Sequence, residues 1–156
     1  MTEIEDISLF VGCADNEGYK LKALIDDSQG FGILDSGCAN TVCGESWLQN
    51  YMDRLSVSEK SNIGFQTSNE TFTFGDGKTV KSERRITLPC WLAGANCDVT
   101  TDVVTCDIPL LISRKYMTKM RMCIDFEDHV AYLKGSNRSI PLKITDSGHY
   151  ALPLGL

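Results

Sequence analysis

The chain has 156 residues, 42% of them hydrophobic and 23% charged, which is enough for one globular domain with a single buried core. Its formal net charge is −6, with the basic residues scattered; phosphate binding needs a concentrated basic patch, so no nucleic-acid partner is expected. No apolar run reaches the length of a membrane span, and Met1-Thr2-Glu3-Ile4-Glu5-Asp6 lacks the pattern of a signal peptide, so the expectation is an intracellular protein with no membrane partner.

In chain order, residues 7–12 and 19–25 read as short strands, and Asp26-Asp27-Ser28-Gln29-Gly30 supplies turn chemistry before the next one. Phe31-Gly32-Ile33-Leu34 is an apolar run that drives straight into Asp35-Ser36-Gly37 and then Cys38-Ala39-Asn40-Thr41-Val42. An acid at the end of a buried strand is partly desolvated, which is costly unless it is hydrogen-bonded or put to use. Ser36 and the amides near Gly37 are placed to supply such bonds. The same tripeptide recurs as Asp146-Ser147-Gly148, and Asp-Ser-Gly after a strand is often only a turn. Its context must decide.

After this stretch, residues 45–55 read as a helix, because Trp47, Leu48, Tyr51, Met52 and Leu55 fall on one face. Residues 56–69 are polar with little periodicity and read as a loop or a short helix. Thr71-Phe72-Thr73-Phe74-Gly75-Asp76-Gly77-Lys78-Thr79-Val80 alternates into a Gly-Asp-Gly turn and reads as a hairpin, either structural or a mobile cover over a cleft. A strand follows through Ile86 and Leu88, a turn is expected at Gly94-Ala95-Asn96, and residues 97–104 form the next strand. Residues 107–114 read as an apolar strand and 115–120 as one or two helical turns. Short strands over 122–126, 129–133, 140–144 and 150–154 complete an all-β, barrel-like domain with one or two small helices.

The ordered combination resembles the retropepsins, the single-lobe aspartic proteases of retroviruses and retrotransposons. It rests on the strand into Asp35-Ser36-Gly37, the small residue and Thr41-Val42, the glycine-tipped hairpin, and Ile108-Pro109-Leu110-Leu111-Ile112-Ser113-Arg114 before a short helix. Leu34 through Gly44 and Phe72 through Gly77 look like invertebrate retrotransposon polyproteins, and the resemblance covers about residues 20–135. It implies a retropepsin-like barrel with Asp35 as catalytic carboxylate, Ser36 as its supporting hydroxyl and Gly37 as the turn residue. It also implies a flap, Phe74, Gly75, Asp76, Gly77 and Lys78, over a polypeptide substrate, and no cofactor. Two departures stand out: Ser113 replaces the usual glycine before the arginine, and Ala39 replaces an acid with which that arginine pairs. The partner of Arg114 is thus open between Asn40 and a carboxylate elsewhere.

Peptide hydrolysis of this kind needs two carboxylates that share a proton. Asp146 has too little chain after it to build a second lobe, so the second acid is expected to be Asp35 of another copy, in a twofold homodimer. The strands near 7–11 or within 139–154 are candidates for the shared interface. The seven cysteines (Cys13, Cys38, Cys43, Cys90, Cys97, Cys106 and Cys123) include no C-x-x-C pair, so reduced thiols and no metal are expected. Cys38 has no histidine near it to activate a thiolate, His129 and His149 read as structural or exposed, and Asp125-Phe126-Glu127-Asp128 reads as an acidic turn. The expectation is an aspartic endopeptidase that processes a retroelement polyprotein. The alternatives are a catalytically silent dimerisation or binding module of the same fold, and a monomeric ligand-binding barrel.

Overall fold

The structure, a computed structural model, describes residues 2–3, 29–73 and 77–155. The strands expected over 7–12 and 19–25, and Phe74, Gly75 and Asp76 of the hairpin, lie outside the described residues.

The strands of the first half are β1 (Thr2–Glu3), β2 (Phe31–Leu34), β3 (Val42–Gly44), β4 (Gly64–Thr67), β5 (Thr71–Thr73) and β6 (Thr79–Lys81). Those of the second are β7 (Arg84–Leu92), β8 (Ala95–Val104), β9 (Leu111–Ile112), β10 (Met122–Asp125), β11 (Val130–Leu133), β12 (Ser139–Pro141), β13 (Lys143–Ile144) and β14 (Tyr150–Pro153). Among the described residues, three short helices accompany them: α1 (Glu45–Asp53), α2 (Val57–Lys60) and α3 (Arg114–Lys119). The all-β class with small helices, expected from the pattern of short apolar runs, is the class the chain adopts.

An eight-stranded sheet in the order β13-β14-β2-β9-β3-β8-β7-β4 carries the molecule. Its longest pair is the β7–β8 hairpin, closed at Leu92 and Ala95. Ala93 and Gly94, with φ of 52° and 78°, make the tight turn one residue earlier than the sequence suggested. Two consecutive positive φ values match the twist of the flanking strands. Ile86, Leu88, Cys90 and Leu92 project from β7 into the core at every second residue. There they meet Trp47, Leu48 and Tyr51 of α1, the face predicted from spacing. The Tyr51 hydroxyl donates to Pro89 O at 2.7 Å, and its ring stacks on Trp47 with centroids 5.0 Å apart.

Three further sequence expectations change. Residues 64–67 form the edge strand β4, paired with β7 from Gly64↔Thr87 to Thr67↔Arg84. Its side chains are largely exposed, with Phe65 70% accessible, so the strand has no buried face to write an alternation into the sequence. In the 107–114 run only Leu111 and Ile112 have strand pairing. Before them, Leu110 O accepts from Ile33 N–H (2.8 Å) and Ile108 O from Gly44 N–H (3.0 Å), an irregular path threaded between β2 and β3. The single strand expected over 140–144 is broken at Leu142, whose N–H turns to His129 O at 2.9 Å. β12 joins the β10-β11-β12 sheet, while β13 joins the large one.

The third sheet has the order β1-β5-β6, in which β5 and β6 form the expected hairpin, with Thr71↔Lys81 and Thr73↔Thr79 in register. β14 pairs with β13 on one side and β2 on the other. Its backbone ladder is therefore used within the chain, and β13 is the edge member of the 139–154 stretch in the large sheet. Among the described residues, no helix is long and apolar enough to cross a membrane.

Candidate active site

β2 runs into the middle of the large sheet. Ile33 pairs in parallel with Leu111 and antiparallel with Ala151, and the ladder continues into the acid, since Asp35 N–H donates to Ile112 O at 3.0 Å. The chain then turns sharply. Cys38 N–H donates to Asp35 O at 3.1 Å, and Gly37 N–H donates to Asp35 Oδ1 at 3.1 Å. Asp35 is 4% exposed, whereas Ser36, Gly37 and Ala39 face solvent. The carboxylate's second oxygen, Oδ2, is also shielded from water. A carboxylate so placed is held by the Gly37 amide of its own turn, which offsets part of its desolvation.

The far side of the loop is fixed equally closely. The Cys38 thiol is fully buried and donates to Asn40 O at 2.8 Å, which makes it a strut inside the loop. Arg114 N–H donates to Cys38 O at 3.2 Å. Thr41 and Ser113, both buried, form a reciprocal pair. The Thr41 hydroxyl donates to Ser113 Oγ at 3.0 Å and accepts from Ser113 N–H at 3.1 Å. Ser113 Oγ also accepts from Tyr116 N–H at 3.2 Å, capping α3. Ser113, noted in the sequence as a departure, is thus the cap that ties α3 to the loop carrying Asp35. The Asn40 carboxamide oxygen accepts from Lys115 Nζ at 3.3 Å. Among the described residues, the Arg114 guanidinium makes no ion pair.

The hairpin base lies against the same structure. Phe72 is buried in one cluster with Ile33, Cys38, Val42 and Leu111, and Val80 packs at its margin. Gly77, with φ of 82°, and Lys78 are both exposed beyond that base. The strand and loop that carry Asp35 and the hairpin base, separated in sequence, therefore share one packing unit, and Ser36, Gly37, Gly77 and Lys78 all face solvent.

Residues that the sequence reading passed over lie next to the loop. A cleft of about 320 Å³ opens beside Asn40 and Thr41 and is lined also by Glu70, Arg85, Asp102 and Lys115. Asp102, 2% exposed, accepts from Arg85 Nη2 at 3.3 Å and from the Ser68 hydroxyl. An acid followed directly by Val103 and Val104 on β8 was the available signal, because a charge is rarely buried without a partner. The partners themselves come from β7 and from the segment leading into the hairpin.

The remaining expected features fall elsewhere. Asp146 sits in an exposed turn, closed by Gly148 N–H to Thr145 O at 2.9 Å and by Thr145 N–H to His149 O at 2.8 Å. Asp125 Oδ1 accepts from Glu127 and Asp128 N–H at 2.9 Å each, which makes that run an acidic turn. His129 Nδ1 pairs with the Tyr150 hydroxyl at 2.8 Å and His149 Nδ1 with that of Ser147 at 3.0 Å. Among the described residues no three His, Cys, Asp or Glu side chains converge on a metal position. Cys43, behind the loop, has its thiol pushed up to about 12 by burial and is no nucleophile at neutral pH.

No protein-family model matches the chain, and no curated protein matches it. Among solved structures, the chain is similar to the retroviral protease-like domain of Ddi1 from Leishmania major. The identity is 16%, the TM-score 0.46, and the match covers 73% of this chain and 93% of that one. No residue of this chain takes a role from that match.

Proposed function

We propose that this chain is an aspartic endopeptidase that acts as a homodimer, with Asp35 of each copy supplying one of two catalytic carboxylates. The observation that carries this reading is the setting of Asp35. Its carboxylate is buried at the end of a central strand, held by Gly37 N–H, on a loop whose next two residues are open to solvent. A plain turn acid would sit in water, as Asp146 does.

One such carboxylate does not hydrolyse a peptide. Two facing copies of the loop would bring two acids together, and like charges at that separation share one proton. The ionised member takes a proton from water, whose oxygen attacks the scissile carbonyl carbon. The protonated member donates to the carbonyl oxygen, and collapse of the tetrahedral species passes a proton to the leaving amine. Ser36 supports the pair at its solvent-facing side, Gly37 supplies the amide, and the hairpin residues Phe74, Gly75, Asp76, Gly77 and Lys78 close over an extended polypeptide. The motif resemblance to retrotransposon proteins makes a retroelement polyprotein the proposed substrate.

The test is cleavage of a mixed peptide library from acid to neutral pH, at several protein concentrations, with Asp35→Asn alongside. The expected result is a bell-shaped pH profile, loss of cleavage in the variant and a steep fall on dilution. A folded, dimeric protein that cuts nothing would instead favour the silent binding module, and cleavage that survives in Asp35→Asn would remove Asp35 from the mechanism.

A further inference from the structure

Cys90 on β7 and Cys97 on β8 are directly opposite each other across the hairpin, with both thiols free. Residues opposite in an antiparallel pair project to the same face. Trp91 N–H points away from β8 to Leu154 O at 3.0 Å, so its neighbour Cys90 directs its own N–H and C=O at Cys97. In a hydrogen-bonded pair of this kind the Cα atoms are about 5.5 Å apart, within the range a disulfide spans. The two thiols differ in access. Cys90 is 1% exposed and lies 3.9 Å from the Tyr116 hydroxyl, whereas Cys97 is partly exposed. Both line a cavity of about 400 Å³, together with Glu59, Asn62, Pro89 and Asp98, and it is large enough to admit a small oxidant.

We infer that Cys90 and Cys97 form a reversible redox pair that closes to a cross-strand disulfide when a hydroperoxide enters this cavity. The sulfur of Cys97, as its thiolate, attacks the outer peroxide oxygen. The O–O bond breaks, water or an alcohol leaves, and Cys97 becomes a sulfenic acid. The Cys90 sulfur then attacks the Cys97 sulfur, the S–OH bond breaks, and the hydroxide departs as water with the Cys90 proton. Two electrons pass from the thiols to the peroxide. Burial pushes the Cys90 thiol up to about 12, which works against its attack, so the resolving step rests on the Cys97 sulfur being held directly opposite it across the strands. Facing Cβ atoms stand about 4.5–5.5 Å apart, against the 3.5–4.5 Å a disulfide prefers. Closure must therefore pinch the strands by about 1 Å, and a strained bond is readily reduced.

The experiment treats the reduced full chain with hydrogen peroxide, blocks the remaining thiols with N-ethylmaleimide, and maps the digest by mass spectrometry without reduction. The expected product is a peptide pair joined through Cys90 and Cys97, undone by dithiothreitol. It should be absent in Cys97→Ser, a substitution at a partly exposed site that leaves the core intact. In Cys90→Ser, where folded, Cys97 should be trapped by dimedone as a sulfenic acid. A bond joining other cysteines would overturn the inference, as would a wild type in which Cys97 is oxidised while Cys90 stays alkylatable on unfolding.

Discussion

The Thr41–Ser113 pair is the place where the loop carrying Asp35 is fastened to α3, and its contribution can be worked from its hydrogen bonds. Ser113→Ala removes the cap on Tyr116 N–H, worth about 1 kcal/mol, and strands the buried Thr41 hydroxyl, worth about 1–2 kcal/mol more. The expected loss is about 2–3 kcal/mol. Ser113→Gly restores the residue usual in the resembled proteins. Glycine caps nearly as well as serine, so it should lose only the Thr41 part, about 1–2 kcal/mol. Thr41→Val leaves Ser113 N–H without its acceptor inside the protein, again about 1–2 kcal/mol. The two single changes share one hydrogen bond, so Thr41→Val with Ser113→Ala should cost less than their sum by about 1 kcal/mol. Urea unfolding at one fixed protein concentration reads this as shifts of the midpoint with an unchanged slope. In a thermal scan each kcal/mol corresponds to about 2–4 °C for a chain of this size. Strict additivity of the two changes, or a Ser113→Gly variant as unstable as Ser113→Ala, would refute the reciprocal pair.

Two further perturbations test the scaffold around the site. Gly44→Ala should be among the most damaging substitutions in the chain, because an added Cβ would meet Cys106 O and sit 2.8 Å and 2.9 Å from Ile108 N and O. Those are backbone atoms that cannot swing aside, so a loss of at least about 3 kcal/mol is expected; a fully folded variant with an unchanged urea midpoint would contradict the close approach of β3 to that segment. Arg85→Leu strips the buried Asp102 carboxylate of its cation. Arg85 is about a third exposed, so the loss is put at about 2 kcal/mol, below the range for fully buried pairs. Arg85→Leu combined with Asp102→Leu should recover part of it, and a double variant less stable than Arg85→Leu alone would refute the pairing.

Much of this fold is legible in short stretches. The face of α1, the β5–β6 and β7–β8 hairpins and the acid at the end of β2 all follow from spacing and turn residues, because each is settled by neighbours a few positions away. The burial of Asp35 could be anticipated from the apolar run that delivers it. β4 could not be read, since both of its faces are exposed and its pairing comes entirely from β7. The same holds for the path of 107–112 between β2 and β3, whose backbone bonds go to residues some seventy positions earlier. Ser113 looked like a departure and is the cap joining α3 to Thr41, while Asp102, not singled out in the sequence, is buried against Arg85. The facing of Cys90 and Cys97 depends on a turn displaced by one residue. Local sequence determined which segments become strands, helices and turns. Which strand lies beside which, and therefore which polar atoms meet, was decided only when the chain closed its long-range ladders, because a hydrogen bond to a distant backbone leaves no periodicity in the sequence that makes it.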